Sequence, residues 1–327
     1  MSGNYLAKRI VYAFITIWAV VTITFILFRL LPADPTAMMI DPLTDPARRD
    51  VLRERLGLNE PIIVQYFLYW GSVLTGDLGT SLQSRLPVRD IVNQAFMNSF
   101  VLAITIFILA YTGGSFLGAM AAWYRGSALE RLAVNIGLIF RGAPPYFVGI
   151  LFIMFFALNL GWLPSGGMRS EFGATGIDKY LNWDFVQHLI LPAVTGALYA
   201  LSTPLLITRN AMLDVTEAEY LDLARAKGLS EPKIIFKHGF RNALLPLLAE
   251  GSQFFAFAIG GMVTIEVVFS WPGLGRTIVD ALLFRDFPVA QGAFMYIGML
   301  VVVAYLISDM LVAWLDPRAR GTERTKT

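Results

Sequence analysis

A chain of 327 residues, 56% of them hydrophobic and 15% charged, with a mean hydropathy of +0.60, is too apolar for a soluble globule of this length and reads as an integral membrane protein. A net charge of +2 excludes the large, clustered basic footprint of a nucleic-acid binder. With no cysteine there is no disulfide and no thiolate metal site, which suits a protein with one side in an oxidising compartment, and the two histidines, His188 and His238, are too far apart in sequence to suggest a metal.

Lys8 and Arg9 precede an apolar run from Ile10 to Leu31. That run suffices to cross a hydrocarbon core of ~30 Å, for which about 20 residues are needed. A cleaved signal peptide would have a shorter apolar core and end in a small-residue site. Leu31-Pro32-Ala33-Asp34-Pro35 is no such site, so a retained first span is expected, with the N-terminus inside. Residues 32–98 are polar and Pro-rich, and read as a small folded extracytoplasmic region. Within it a charged helical patch, Asp50 to Leu58, precedes an aromatic one, Gln65 to Leu74. Tyr66, Phe67, Tyr69 and Trp70 fit the membrane interface or packing against the first span equally well.

Residues 99–315 read as a core of five further spans: Ser99–Ala122, Leu132–Leu160, His188–Thr208, Asn242–Phe269 and Pro288–Leu315, with 316–327 as a tail. Gly113-Gly114 and Gly118-Ala119 suit close helix approach. Pro144-Pro145 is expected to kink the third span, and Pro192 and Pro204 lie in the fourth. Gly260-Gly261 and the Trp271-Pro272-Gly273-Leu274-Gly275 turn read as the place where the fifth span bends and ends at the outer face. Six spans put both termini on one side. Lys and Arg concentrate at Lys8, Arg9, Arg125, Arg131, Arg209, between 225 and 241, and at 318–326, which sets that side as cytoplasmic. Ionisable residues within spans are costly and often functional. Arg29 and Arg209 lie near span ends, where they can snorkel, while Glu266 and Asp309 lie deeper. Arg141 adjoins the proline kink and is the candidate to meet an anionic substrate group on the translocation path. The alternative is an Arg paired with a carboxylate such as Glu266, or one reaching the inner interface.

The longest polar, helix-prone insert of the second half, Glu217 to Leu248, has spans on both sides. Strong helix formers run to Lys227, Gly228 can end that helix in a left-handed turn, and Ser230 with Pro232 can start a second. Tyr220, Leu223, Ala224 and Lys227 share one face. Aligned on Gly228, Asp222-Leu223-Ala224 resembles the Glu-Ala-Ala motif in the cytoplasmic loop of permease subunits of ATP-binding-cassette (ABC) importers, with Asp for Glu and without the motif's Leu-Pro. Ala224 to Leu229, Arg241-Asn242-Ala243, Val267 to Gly275, Arg285 to Val289 and Leu315-Asp316-Pro317-Arg318 resemble the dipeptide/oligopeptide/nickel branch of that family. The resemblance runs from Lys8 to Arg320.

The resemblance implies an all-α, six-helix type I importer permease in a bacterial inner membrane. It implies a second permease subunit in a heterodimer, two cytoplasmic ATPase subunits that bind ATP and Mg, an extracytoplasmic solute-binding protein, and membrane lipid around the whole. It places the ATPase contact on Glu219, Asp222, Ala224, Arg225, Lys227 and Gly228 within a coupling loop at 210–241. No cofactor is expected in this chain, where no phosphate-binding Gly-x-x-x-x-Gly-Lys-Ser/Thr loop occurs. The substrate classes open are peptides, glutathione, opines, oligosaccharides and nickel. An ion-coupled secondary carrier is the alternative, and would be expected to show related halves, which are not visible.

Overall fold

The computed structural model describes residues 3–30, 59–170, 176, 178–216, 246–251, 253–254 and 262–315. Its helices are α1 (Gly3–Leu30), α2 (Ile62–Thr75), α3 (Val88–Trp123), α4 (Ala128–Gly142), α5 (Pro145–Phe152, running on as a π-helical stretch Ile153–Asn159), α6 (Trp183–Ala200), α7 (Ser202–Thr216), α8 (Val263–Val268), α9 (Leu274–Leu283) and α10 (Phe287–Leu315). α1, α3 and α10 are long and apolar enough to cross a membrane, and α4 with α5 and α6 with α7 form two bent pairs, giving up to five spans among the described residues. Residues 242–245, 252 and 255–261 of the expected Asn242–Phe269 span, Gly260-Gly261 among them, lie outside the described residues, with 246–251 helical and α8 near its end.

The third span is not one kinked helix. α4 and α5 meet at 102°, because Ala143 and Pro144 both adopt extended backbone (ψ 133 and 130). A residue before proline is pushed out of the helical region, and here two prolines follow in succession. Pro145 then opens α5, where its missing N–H costs nothing. The 43° bend between α6 and α7 falls at Leu201, just before Pro204.

α1 and α10 run antiparallel. Phe28 meets Phe287 and Phe294 at ring distances of 6.5 and 6.2 Å, while Arg9 Nη1 lies 2.7 Å from Asp309 Oδ2. Asp309 is therefore not deep: it sits beside the Lys8 end of α1. Arg29, at the other end, lies over the Phe25 ring at 5.6 Å. The aromatic helix α2 packs on α1, with Tyr66 and Tyr69 5.3 and 5.6 Å from Phe25 and the Tyr66 hydroxyl 2.8 Å from Thr22 Oγ1, whereas Phe67 points away, 67% exposed.

The core concentrates at the Leu30 end. Val88, Val92 and Ala95 of α3 pack on Leu274, Ile278 and Ala281 of α9 and on Val289, Ala290 and Ala293 of α10. Leu102 and Ile106, farther along α3, join Phe185, Leu191, Phe269 and Trp271. Towards its other end α3 crosses α7 at glycine. A Cβ on Gly114 would come within 2.7 Å of Leu201 O, and one on Gly118 would overlap Leu205 O. Lipid offers no hydrophobic drive between helices, so backbone proximity of this kind supplies their packing energy.

Candidate functional site

Glu219, Asp222, Ala224, Arg225, Lys227 and Gly228 lie outside the described residues; what the structure describes is the frame that carries them. α7 leads to residue 217, and α4 lies antiparallel along α7 and α6, Glu130 meeting Arg209, Gly137 meeting Ser202 and Arg141 meeting Tyr199. Glu130 in the first turn of α4 accepts from Arg209 Nε at 2.8 Å and also from Arg209 Nη2. Gly137 faces Ser202 and Leu205, with 3.5 Å from an added Cβ to Ser202 Cα. The Arg141 guanidinium stands 4.7 Å over the Tyr199 ring of α6. The start of α4 is itself fixed. Ser127 Oγ accepts from Glu130 N at 3.2 Å, and Glu130 Oε2 accepts from Gly126 N at 2.5 Å, a reciprocal cap that satisfies donors at the helix start.

Arg141 is exposed at the C-terminal end of α4, one residue before the 102° break. Its ring contact with Tyr199 is a cation–π interaction that leaves the guanidinium N–H groups available for a planar anion. Glu266 has a different setting. It is 2% exposed, its Oε1 accepts from Ser99 Oγ at 2.5 Å and its Oε2 from Arg276 N at 3.0 Å. Ser99 Oγ in turn accepts from Leu274 N at 2.8 Å. Together they satisfy orphan amides at the start of α9, where the helix dipole favours negative charge. Arg141 and Glu266 thus have separate partners.

Sequence reasoning missed the clasp that this cap belongs to. Asn98, 2% exposed, donates from Nδ2 to Pro272 O at 2.8 Å and accepts at Oδ1 from the Tyr180 hydroxyl at 2.7 Å and Lys179 Nζ at 3.2 Å. Its backbone carbonyl accepts from Trp271 Nε1 at 3.0 Å. Burial pushes the Lys179 ammonium pKa down, and nearby Arg169 adds to the effect. A second tie joins Asp286 to Ser81 Oγ at 2.5 Å and to Leu82 N at 3.1 Å. The signal available was Asn98-Ser99 at the start of an otherwise apolar run. Among the described residues no group of three or more His, Cys, Asp or Glu is placed to hold a metal.

Residues 114–321 match the family described as the binding-protein-dependent transport system inner membrane component, and residues 3–104 match its N-terminal region. The chain is 35% identical over 317 residues to the glutathione transport system permease protein GsiC of Salmonella paratyphi A, covering 97% of this chain and 99% of the relative. The Escherichia coli K12 protein of that name is 34% identical over the same coverage. Among solved structures, an inward-facing form of the MetNI methionine ABC transporter matches with a TM-score of 0.54 at 17% identity, over 69% of this chain and 96% of that one, a likeness of fold. The chain therefore belongs to the inner-membrane permease family of binding-protein-dependent ABC importers.

Proposed function

We propose that this permease forms half of the translocation path for glutathione or a related short peptide, beside a second permease chain. In this reading two cytoplasmic ATPase subunits bind ATP and Mg and dock on the 217–240 loop through Glu219, Asp222, Ala224, Arg225, Lys227 and Gly228. A solute-binding protein delivers cargo on the opposite side, and both termini are cytoplasmic. The observation that carries the substrate class is the end-to-end similarity to glutathione transport permeases. The sequence supports the division of labour, since no phosphate-binding loop is present in this chain.

Co-purification in mild detergent followed by mass spectrometry tests the assembly. Wild type is expected to bring two ATPase chains and one second permease, and the Asp222→Arg, Gly228→Pro variant to lose the ATPases and keep the permease. ATPases retained at wild-type stoichiometry by the variant would refute the docking site. Uptake of labelled glutathione into proteoliposomes, competed by di- and tripeptides, tests the cargo.

Arg141 is the path residue in this proposal, and the cargo's carboxylate is its partner; Glu266 serves the path by holding α9. Arg141→Ala is expected to lower uptake about 10-fold or more, the scale of a charged hydrogen bond lost, with ATP hydrolysis and protein level maintained. Unchanged uptake at normal protein level would remove Arg141 from the path.

A further inference from the structure

We propose that the Glu130–Arg209 ion pair is the positioning element that makes α4 move with α7, passing displacement of the ATPase-docking loop to the broken helix at 142–145. The inference rests on the coupling role proposed for the 217–240 loop.

Arg209 lies seven residues before Thr216, about 10 Å along α7 at 1.5 Å per residue. Along that stretch α7 is packed on α3 through Met212, buried with Ala119 and Ala122, and before it the backbone at Leu201–Leu205 is seated against Gly114 and Gly118. Elsewhere α4 meets the α6–α7 pair without a directional bond at Gly137, whose added Cβ would make ordinary contacts with Ser202 and Leu205, and at the Arg141 guanidinium over the Tyr199 ring. Two Arg209 nitrogens converging on Glu130 Oε1 fix both distance and direction. The other carboxylate oxygen is held by Gly126 N, so the pair grips the turn before α4 as well as the helix. The two side chains are 10% and 24% exposed, well shielded from the screening that weakens surface pairs. A push on α7 along its axis is thereby delivered to the first turn of α4, and α4 carries it to Arg141, at the edge of the break.

The chain has no cysteine, so a single thiol can report on α4 and α5. Tyr146, just past the break, is 49% exposed. In the assembled complex, maleimide labelling of Tyr146→Cys is compared between nucleotide-free and ATP–vanadate-trapped states, and read on this chain's band. With the pair intact, trapping is expected to change the labelling rate by about 5-fold or more, the range of an ordinary coupling between sites. In Glu130→Gln or Arg209→Gln the change is expected to fall below about 2-fold, while ATP hydrolysis stays near the parent rate. The double variant should be no worse than either single one, since residues acting as one unit are not additive. Arg209→Lys, which keeps the charge but not the two converging donors, should retain only part of the response, and Arg209→Gln covers the case in which Glu130→Gln assembles poorly.

A trapping response that survives in the single variants overturns the proposal. So does a loss that tracks ATP hydrolysis, or single effects that multiply in the double variant. A parent complex that hydrolyses ATP with no change at position 146 overturns it as well. A parent chain that assembles with no ATPase defeats the coupling reading instead.

Discussion

Trp271→Ala is expected to cost about 3–5 kcal/mol, the range for deleting a large buried aromatic, and to leave little assembled protein. Trp271 is fully buried in the turn between α8 and α9, its ring 5.8 Å from Phe185 and its indole N–H on the Asn98 carbonyl. Removing it opens a void and also loses the indole bond to the Asn98 carbonyl, a net hydrogen bond worth about 0.5–1.5 kcal/mol more, since that carbonyl lies within α3 and keeps its helical partner. Trp271→Phe separates the two effects, because it keeps most of the volume and loses only the donor; it should fall between alanine and wild type. The measurement is the midpoint of thermal unfolding in detergent alongside the yield of chain in the membrane. An alanine variant melting within a few degrees of wild type would show that the clasp does not hold this end of the molecule.

Gly118→Val is the second large effect expected, and it acts at the opposite end of α3. A Cβ there overlaps the Leu205 carbonyl and lies 3.0 Å from Thr208 Cβ, so the neighbour in the way is α7 backbone, which cannot swing aside. The helices must separate and their packing is lost along the whole crossing, a cost of several kcal/mol on the scale of overpacked interiors. Gly113, five residues earlier on α3, provides the control. Its added Cβ would meet only Leu201 Cδ1 at 3.8 Å, an ordinary contact. Gly113→Ala should therefore be neutral or raise stability by about 0.5–1 kcal/mol, the usual difference between the two residues inside a helix. Equal melting of the two variants would mean that the α3–α7 crossing is looser than the backbone distances require.

Hydropathy made the apolar stretches legible, since length and apolarity are local properties that lipid enforces residue by residue. It placed the start of the second span at Ser99, eleven residues after α3 begins, because Arg89, Asp90, Asn93 and Gln94 break the apolar run. The helical spacing of Val88, Val92 and Ala95 was the signal for that extra length, and those residues do bury their face. Pro144-Pro145 announced a disruption, but its angle depends on two successive residues leaving the helical region. Glu266 illustrates the limit. A carboxylate within a span reads as functional, and only the tertiary arrangement shows Ser99 and the start of α9 arriving to satisfy it. Asp309 read as deep for the same reason, since its partner Arg9 comes from the opposite end of the chain. The docking role proposed for the 217–240 loop comes from its motif alone, and its residues lie outside those the structure describes.

The clasp also has a timetable. Asn98 and Ser99 leave the ribosome early, yet their partners Glu266, Trp271 and Pro272 follow 167 to 174 residues later, and Ser81 waits 205 residues for Asp286. At about 5–20 residues per second of synthesis, α3 stands in the membrane for roughly ten seconds or more before Ser99 and the Asn98 Nδ2 meet their partners, although Lys179 and Tyr180 reach the Asn98 Oδ1 after 81 and 82 residues. During that interval the nascent protein presents an unfinished surface to quality-control proteases and chaperones. A ribosome that stalls before residue 266 leaves a fragment with this surface permanently open, so nascent-chain surveillance should clear such fragments faster than chains interrupted after residue 286.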